Sequence, residues 1–265
     1  ASQSWAKTLA PANQNAGSGH PTALLWSAKR NGIPMASKST LNAKNLEALG
    51  TERLAQLLIE SSTGDAAAKR KLRLALAGAE GPREAAREIT KRLTSIAKAR
   101  TFVNWQNRKP LVKDLQTQRS AIMEQIAPHD PGEALALLWR FMGLATPVFE
   151  RCDDSSGTVI DIFHQACADL GEVAKAADAA PEALARQVLD ALQDNGFGQY
   201  DGLIAIIAPA LGADGVAHLK TLVEELGRTP VPVPPKSEWQ AVGWGSGGTR
   251  YAHEMEEHAR QSTVE

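Results

Sequence analysis

The stretch His253-Glu254-Met255-Glu256-Glu257-His258 sets two histidines beside three carboxylates, the residue types of a zinc-hydrolase helix. That chemistry needs the histidines four apart, so that both imidazoles reach one ion. Here they are five apart, about 140° around a helix that turns about 100° per residue, and no third ligand can be named. Asp161, His164 and Cys167 recur every three residues on one expected helix, within an arc of about 120°. A thiol, an imidazole and a carboxylate on one face could serve a nucleophile or a metal, with Cys152, Asp153 and Asp154 just upstream. Their spacing matches no familiar ligand pattern. A cysteine on a half-apolar helix face is ordinarily a packing residue.

Gly243-Trp244-Gly245-Ser246-Gly247-Gly248 contains G-x-G-x-x-G to the letter. A dinucleotide loop needs a buried strand before it, an apolar helix after it and an acid about 20 residues on. The approach here is "SEWQAV" and the exit is the charged "YAHEMEEHA", so the run reads as a linker or turn. "QDNGFGQYDG" resembles a calcium loop, but with Gly196 in the sixth position the first ligand falls on Ala191. It reads better as a corner between helices, with Gly196 ending one and Asp201 beginning the next. "CDDSSGTV" suits the capped entrance of a helix. The expectation is a non-enzymatic protein with no catalytic residue, no metal site and no cofactor.

Charge is the most informative pattern. Residues 66–119 hold fourteen Lys and Arg against four Asp and Glu, a net of +10. Residues 120–265 hold nine against twenty-two, a net of −13, so the near-neutral total of −1 hides a strong asymmetry. Arg83, Arg87 and Lys91 are four apart beside an apolar face of Ala86, Ile89, Leu93 and Ile96. Lys69, Arg70, Lys71 and Arg73 precede them; Lys98, Arg100, Arg108, Lys109 and Lys113 follow, with Phe102 and Trp105 between. The candidate binding residues are Arg83, Arg87, Lys91, Lys98, Arg100, Trp105, Arg108 and Lys109. A positive stripe with interleaved aromatics can hold phosphates and stack bases. The plainer alternative is solvated helix faces that answer the acidic half or dock a protein partner.

The elements that must position these residues are helical. Alanine-rich, aromatic-poor composition favours helix packed on helix. Leu46, Leu49, Leu54, Leu57 and Leu58 recur at helical intervals. "AAAKRKLRLALAG" follows a turn at Gly64-Asp65, with Gly78 as its expected cap. Pro82, Pro110 and Pro131 each open a helix, and Asp130 caps the third. "GTVIDIFHQACADLG", "PEALARQVLDALQDNG", "DGLIAIIAPALG" and "GVAHLKTLVEELG" are further helices, with Pro147 and Pro209 as breaks. The word "EALA" at 133–136 and 182–185 hints at a helical-hairpin repeat. No stretch alternates with the period of a strand. The expected fold is all-α, about nine or ten helices in antiparallel hairpins, with an irregular α-solenoid as the variant arrangement.

Residues 1–40 read as a flexible extension, 41–227 as the helical domain, and 228–265 as a Pro/Gly-rich linker with a terminal polar helix that has nothing to pack on. Met35 followed by Ala36 resembles an initiator, so the natural chain is expected to start there. Two cysteines favour a reducing compartment and a cytoplasmic location. No uninterrupted apolar run approaches the roughly 20 residues of a membrane span, so no membrane partner is expected.

"LNAKNLEALG", "LRLALAGAEGP", "LLWRFM", "FERCDDSSGTV" and "ALQDNGFGQYDGLI" resemble a family of uncharacterised bacterial proteins known only as a domain of unknown function. The resemblance spans Leu41 to Gly248. It implies an all-helical bacterial protein whose relatives continue into tetratricopeptide-like helix pairs, and it brings no activity, cofactor or catalytic residue. The function expected is a protein-interaction or scaffold module. Nucleic-acid binding through residues 69–113 is the alternative.

Overall fold

The computed structural model describes residues 40–229, 232–245 and 248–264. The expected extension and the Met35 start lie outside those residues. The chain divides into two compact units, residues 1–54 and 55–265. In the first, Asn42 Oδ1 accepts from Asn45 N at 2.9 Å and opens the short helix α1 (Ala43–Glu47). A turn at Gly50 separates it from α2 (Thr51–Ser62), whose far end belongs to the second unit. The leucine stripe is therefore split over two helices, and none of its members is buried.

The second unit is built from helices whose starts are chemically marked. Asp65 Oδ1 accepts from Ala67 N and Ala68 N, at 2.8 and 3.0 Å, and starts α3 (Ala66–Glu80). Gly78 does not cap it. The helix runs on to Gly81, and Gly78 lies within it, facing the end of the Gln125 side chain. Pro82 opens α4 (Pro82–Lys98), which buries Ala85, Ala86, Ile89, Leu93 and Ile96, as the spacing required. α5 (Arg108–Ala121) starts two residues ahead of Pro110 and runs into one π-helical turn, Ile122–Ile126. Asp130 Oδ1 accepts from Glu133 N at 2.9 Å and opens α6 (Pro131–Met142). α7 (Ala145–Phe149), α8 (Thr158–Ala176) and α9 (Pro181–Gln193) follow.

α10 spans Leu203–Arg228, but Gly212 at φ 62°, ψ −172° breaks it into the two helices the sequence implied. By length and composition alone this element could cross a membrane, with a mean hydropathy of 1.4 over its most apolar window. A run-length reading misses this because Pro209 and the glycines divide the window. Leu203, Ile207, Leu211 and Leu219 are buried, and α10 packs on both α8 and α9. α8 also contacts α5 and α6, which closes the hairpins around one core that includes Ile89, Leu115, Leu138, Phe141, Phe163 and Leu170.

Two expectations for the C-terminal region are corrected. β1 (Ala241–Gly245) and β2 (Gly248–Tyr251) pair antiparallel, with Trp244 opposite Thr249 and Gly245 opposite Gly248. Gly243, Trp244, Gly245 and Gly248 of the glycine-rich run thus lie in paired strands, where no strand was expected. Val242, Trp244, Thr249 and Tyr251 are strand formers whose alternation the glycines obscure. The terminal helix α11 (Ala252–Val264) does have a surface to pack on: it contacts α10 and α9. Arg260 Nη1 donates to Leu226 O at 2.8 Å and Thr229 O at 2.7 Å, capping the carbonyl end of α10.

Candidate functional site

The cationic segment folds as α3, α4, the connection 99–107 and α5, and the spacing of its residues makes a groove. On α3, Ala67, Lys71 and Leu74 lie on one face; on α5, Lys109, Lys113 and Thr117 do the same. Where α3 passes α5 these faces enclose a concavity of about 610 Å³. Ala68, Leu74 and Pro110 give it apolar lining, and Lys71, Lys109 and Lys113 supply cations.

Polar groups at the groove are incompletely satisfied. Arg92 Nε donates to Asp114 Oδ2 at 2.7 Å, its Nη2 donates to the same oxygen, and Arg70 Nη2 stands 3.9 Å away. Gln118, 4% exposed, donates from Nε2 to Asp114 Oδ1 at 3.4 Å. Gln118 Oε1 and Arg70 Nε, an acceptor and a donor, are both enclosed without a partner. Asp65 is held below the usual carboxylate range by the N–H groups of Ala68 and Ala67, with Lys113 and Arg70 adding to the effect.

The candidate binding residues do not converge. Arg83, Arg87 and Lys91 lie exposed along α4, where Arg87 stands 3.7 Å from Glu84 and Lys91 stands 3.5 Å from Glu88. Lys98 ends the same helix, about 22 Å from Arg83 at about 1.5 Å per residue. Lys91 also borders a smaller cleft of about 150 Å³ with Arg70, Arg73 and Arg92. Arg100 and Trp105 are exposed on the connection to α5, and Lys109 lines the groove. Arg108 is not available to a ligand. Its side chain is 14% exposed, and its guanidinium donates to Asp153 O at 2.9 Å, Asp154 Oδ1 at 3.3 Å and Ser156 Oγ at 2.6 Å. Asp154 in turn accepts from Val159 N and Ile160 N and starts α8, as "CDDSSGTV" suggested. Arg70, Lys71 and Lys113 belong to the groove but lie outside the candidate set. All three had stood only as flanking members of the basic run 69–113.

Burial divides the remaining chemical candidates. Cys167 is 0% exposed, and burial pushes its thiol up to about 11. His164 is exposed, its Nε2 3.0 Å from Gly198 O, and Asp161 is exposed too. Burial, then the Asp154 carboxylate, also raises the Cys152 thiol. The corner 194–202 is tied by its own side chains: Asn195 Oδ1 accepts from Tyr200 N at 2.8 Å, and Phe197 stacks on Phe149 at 5.0 Å. His253 and His258 border a cavity of about 520 Å³ with Glu254 and Glu257. The His253 ring, however, packs on Trp239 at 4.8 Å, and Glu257 is paired with Arg260 at 2.7 Å. Among the described residues no group of three His, Cys, Asp or Glu is placed to share an ion.

A family model described as a family of unknown function, DUF6880, matches residues 36–265. No curated protein and no solved structure is significantly similar to the chain.

Proposed function

We propose, for a chain that belongs to the DUF6880 family of unknown function, a protein-interaction module whose α3–α5 groove docks an acidic, partly apolar segment of a partner protein. The observation that carries this reading is the pairing of apolar lining with three exposed lysines that form no ion pair, in a groove whose lining also holds Asp65 and Asp114. Among the described residues, Lys71, Lys109 and Lys113 have no acid within 4 Å. Charge then steers a partner in, and the apolar lining holds it. The apolar lining of Ala68, Leu74 and Pro110 favours a peptide segment over a phosphodiester backbone, which brings charge without apolar surface.

The test uses fluorescence anisotropy with a labelled amphipathic peptide of glutamate and leucine. It is expected to bind, and Lys71→Glu together with Lys113→Glu should weaken it by about tenfold or more. Equal binding by the charge-reversed protein, or no binding by either, refutes the docking groove.

A further inference from the structure

Phe102 and Trp105 are 65% and 63% exposed and stand on the same short segment between α4 and α5. Neither ring packs on another aromatic among the described residues. Singly exposed aromatics are ordinary; two presented by a pinned backbone are not. Val103, between them, turns inward and bridges in parallel to Cys152, with Val103 N donating to Arg151 O at 2.7 Å and Asp153 N to Val103 O at 2.9 Å. Arg151 Nη1 donates to Thr101 O at 3.3 Å, and Asn104 Oδ1 accepts from Asn107 N at 3.0 Å. Arg108 fastens the far end to the entrance of α8. The segment is held at Thr101, Val103, Asn104 and Arg108, so its backbone carries less ordering cost than a loose loop would.

Along the chain the neighbours of the rings are cationic, while across the Val103–Cys152 bridge stand Arg151 and Asp153. No Asp or Glu occurs between Glu88 and Asp114 in the sequence, and Lys98 and Arg100, both exposed, lead into the connection without a carboxylate within 4 Å among the described residues. We propose that Phe102 and Trp105 are a stacking platform for single-stranded nucleic acid, with Lys98 and Arg100 contacting its phosphates. An unpaired base has a flat face for each ring, and its backbone supplies the negative charge. A duplex hides those faces. A lipid surface selects a continuous apolar face, which the inward turn of Val103 interrupts. This site is separate from the α3–α5 groove and stands on different residues.

The experiment titrates the full chain into labelled oligothymidylate at low salt, with the matching duplex and phosphatidylserine vesicles as competing probes. The single strand is expected to bind, with Trp105→Ala and Phe102→Ala each weakening it by roughly tenfold, the loss of one stacked base. Lys98→Glu with Arg100→Glu should flatten the slope of log affinity against log salt by about 1.4, about 0.7 for each phosphate contact. Circular dichroism checks that each variant is folded, and the exposure of all four side chains predicts that it is. The groove variant Lys71→Glu/Lys113→Glu should bind the oligonucleotide like the parent, so failure here and failure of the peptide test are separable. No binding at low salt, wild-type affinity in Trp105→Ala, or equal binding to duplex or vesicles overturns the proposal.

Discussion

A single methyl group at position 171 should push α8 and α10 apart. Gly171 lies inside α8 where α10 crosses it, and a Cβ there would sit 2.5 Å from Ile206 O and 2.7 Å from Ile206 Cγ2. The side-chain methyl can rotate away, but the carbonyl belongs to helical backbone. Ordinary contact begins near 3.4 Å, so the helices must separate by most of an ångström. That displacement loosens Leu170, Leu203 and Ile207, all essentially unexposed. Because the obstructing atom is backbone, overpacking here should cost about 2–3 kcal/mol, the upper part of the usual range. Alanine recovers about 1 kcal/mol in a helix interior, so Gly171→Ala should lose about 1–2 kcal/mol net. For a body of this size that is a fall of about 2–8 °C in Tm. Gly132, in the first turn of α6, is the control, since its Cβ would meet only Asp130 Oδ1 at 3.5 Å. Gly132→Ala should be neutral or gain up to about 1 kcal/mol. Urea denaturation followed at the helix band measures both variants. If Gly171→Ala matches or exceeds the parent in stability, the close crossing of α8 and α10 is wrong.

Arg119 reaches Asp169 with Nε at 2.5 Å from Oδ2 and Nη2 at 2.8 Å from Oδ1, joining α5 to α8 in a largely enclosed pair. Arg119→Ala should cost about 3 kcal/mol by stranding the carboxylate, while the apolar pair Arg119→Met/Asp169→Leu should recover most of it in the same denaturation assay. Cys167 gives a pH dependence. Its folded thiol titrates at about 11 against 9.0 unperturbed, so the folded state keeps the proton that the unfolded state gives up. Its contribution is complete below pH 9 and is lost as pH rises towards 11, about 2–3 kcal/mol in all. Cys167→Ala should remove that share of the alkaline slope, and a thiol reagent should label Cys167 only with global unfolding.

Helix starts were legible because their signals are local. Pro82, Pro131 and Pro181 stand at first helical positions, and Asp65 and Asp130 cap N–H groups two or three residues on. The all-α class followed from such marks repeated along the chain. What was not legible depends on residues distant in sequence. Gly78 looked like a terminus, but the helix continues past it to Glu80, and Gly78 faces Gln125 of the π-helical turn after α5. The β1–β2 hairpin was hidden by glycines, and the docking of α11 depends on carbonyls of α10 more than thirty residues earlier. The groove was invisible for the same reason: the spacing on α3 and on α5 shows one face each, but nothing in the order of residues says that the two faces meet.

The charge asymmetry of the sequence is therefore only partly an asymmetry of surface, and the residue types sort the difference. All six lysines of residues 66–119 are exposed, whereas Arg70, Arg92, Arg108 and Arg119 turn partly inward. Each of these four meets a carboxylate, and two reach into the acidic stretch of the chain, to Asp154 and Asp169. A guanidinium tolerates such placement because its planar fork meets an oxygen pair with little ordering cost, while an ammonium holds its water more tightly. Arg108 and Arg119 thus join the basic helices to the acidic body, while Arg70 and Arg92 neutralise Asp114 within the basic segment. The lysines are left outside, where a mobile point charge attracts a partner without fixing its geometry. That division leaves Lys71, Lys109 and Lys113 lining the α3–α5 groove, while Arg108, a candidate by sequence, serves the fold.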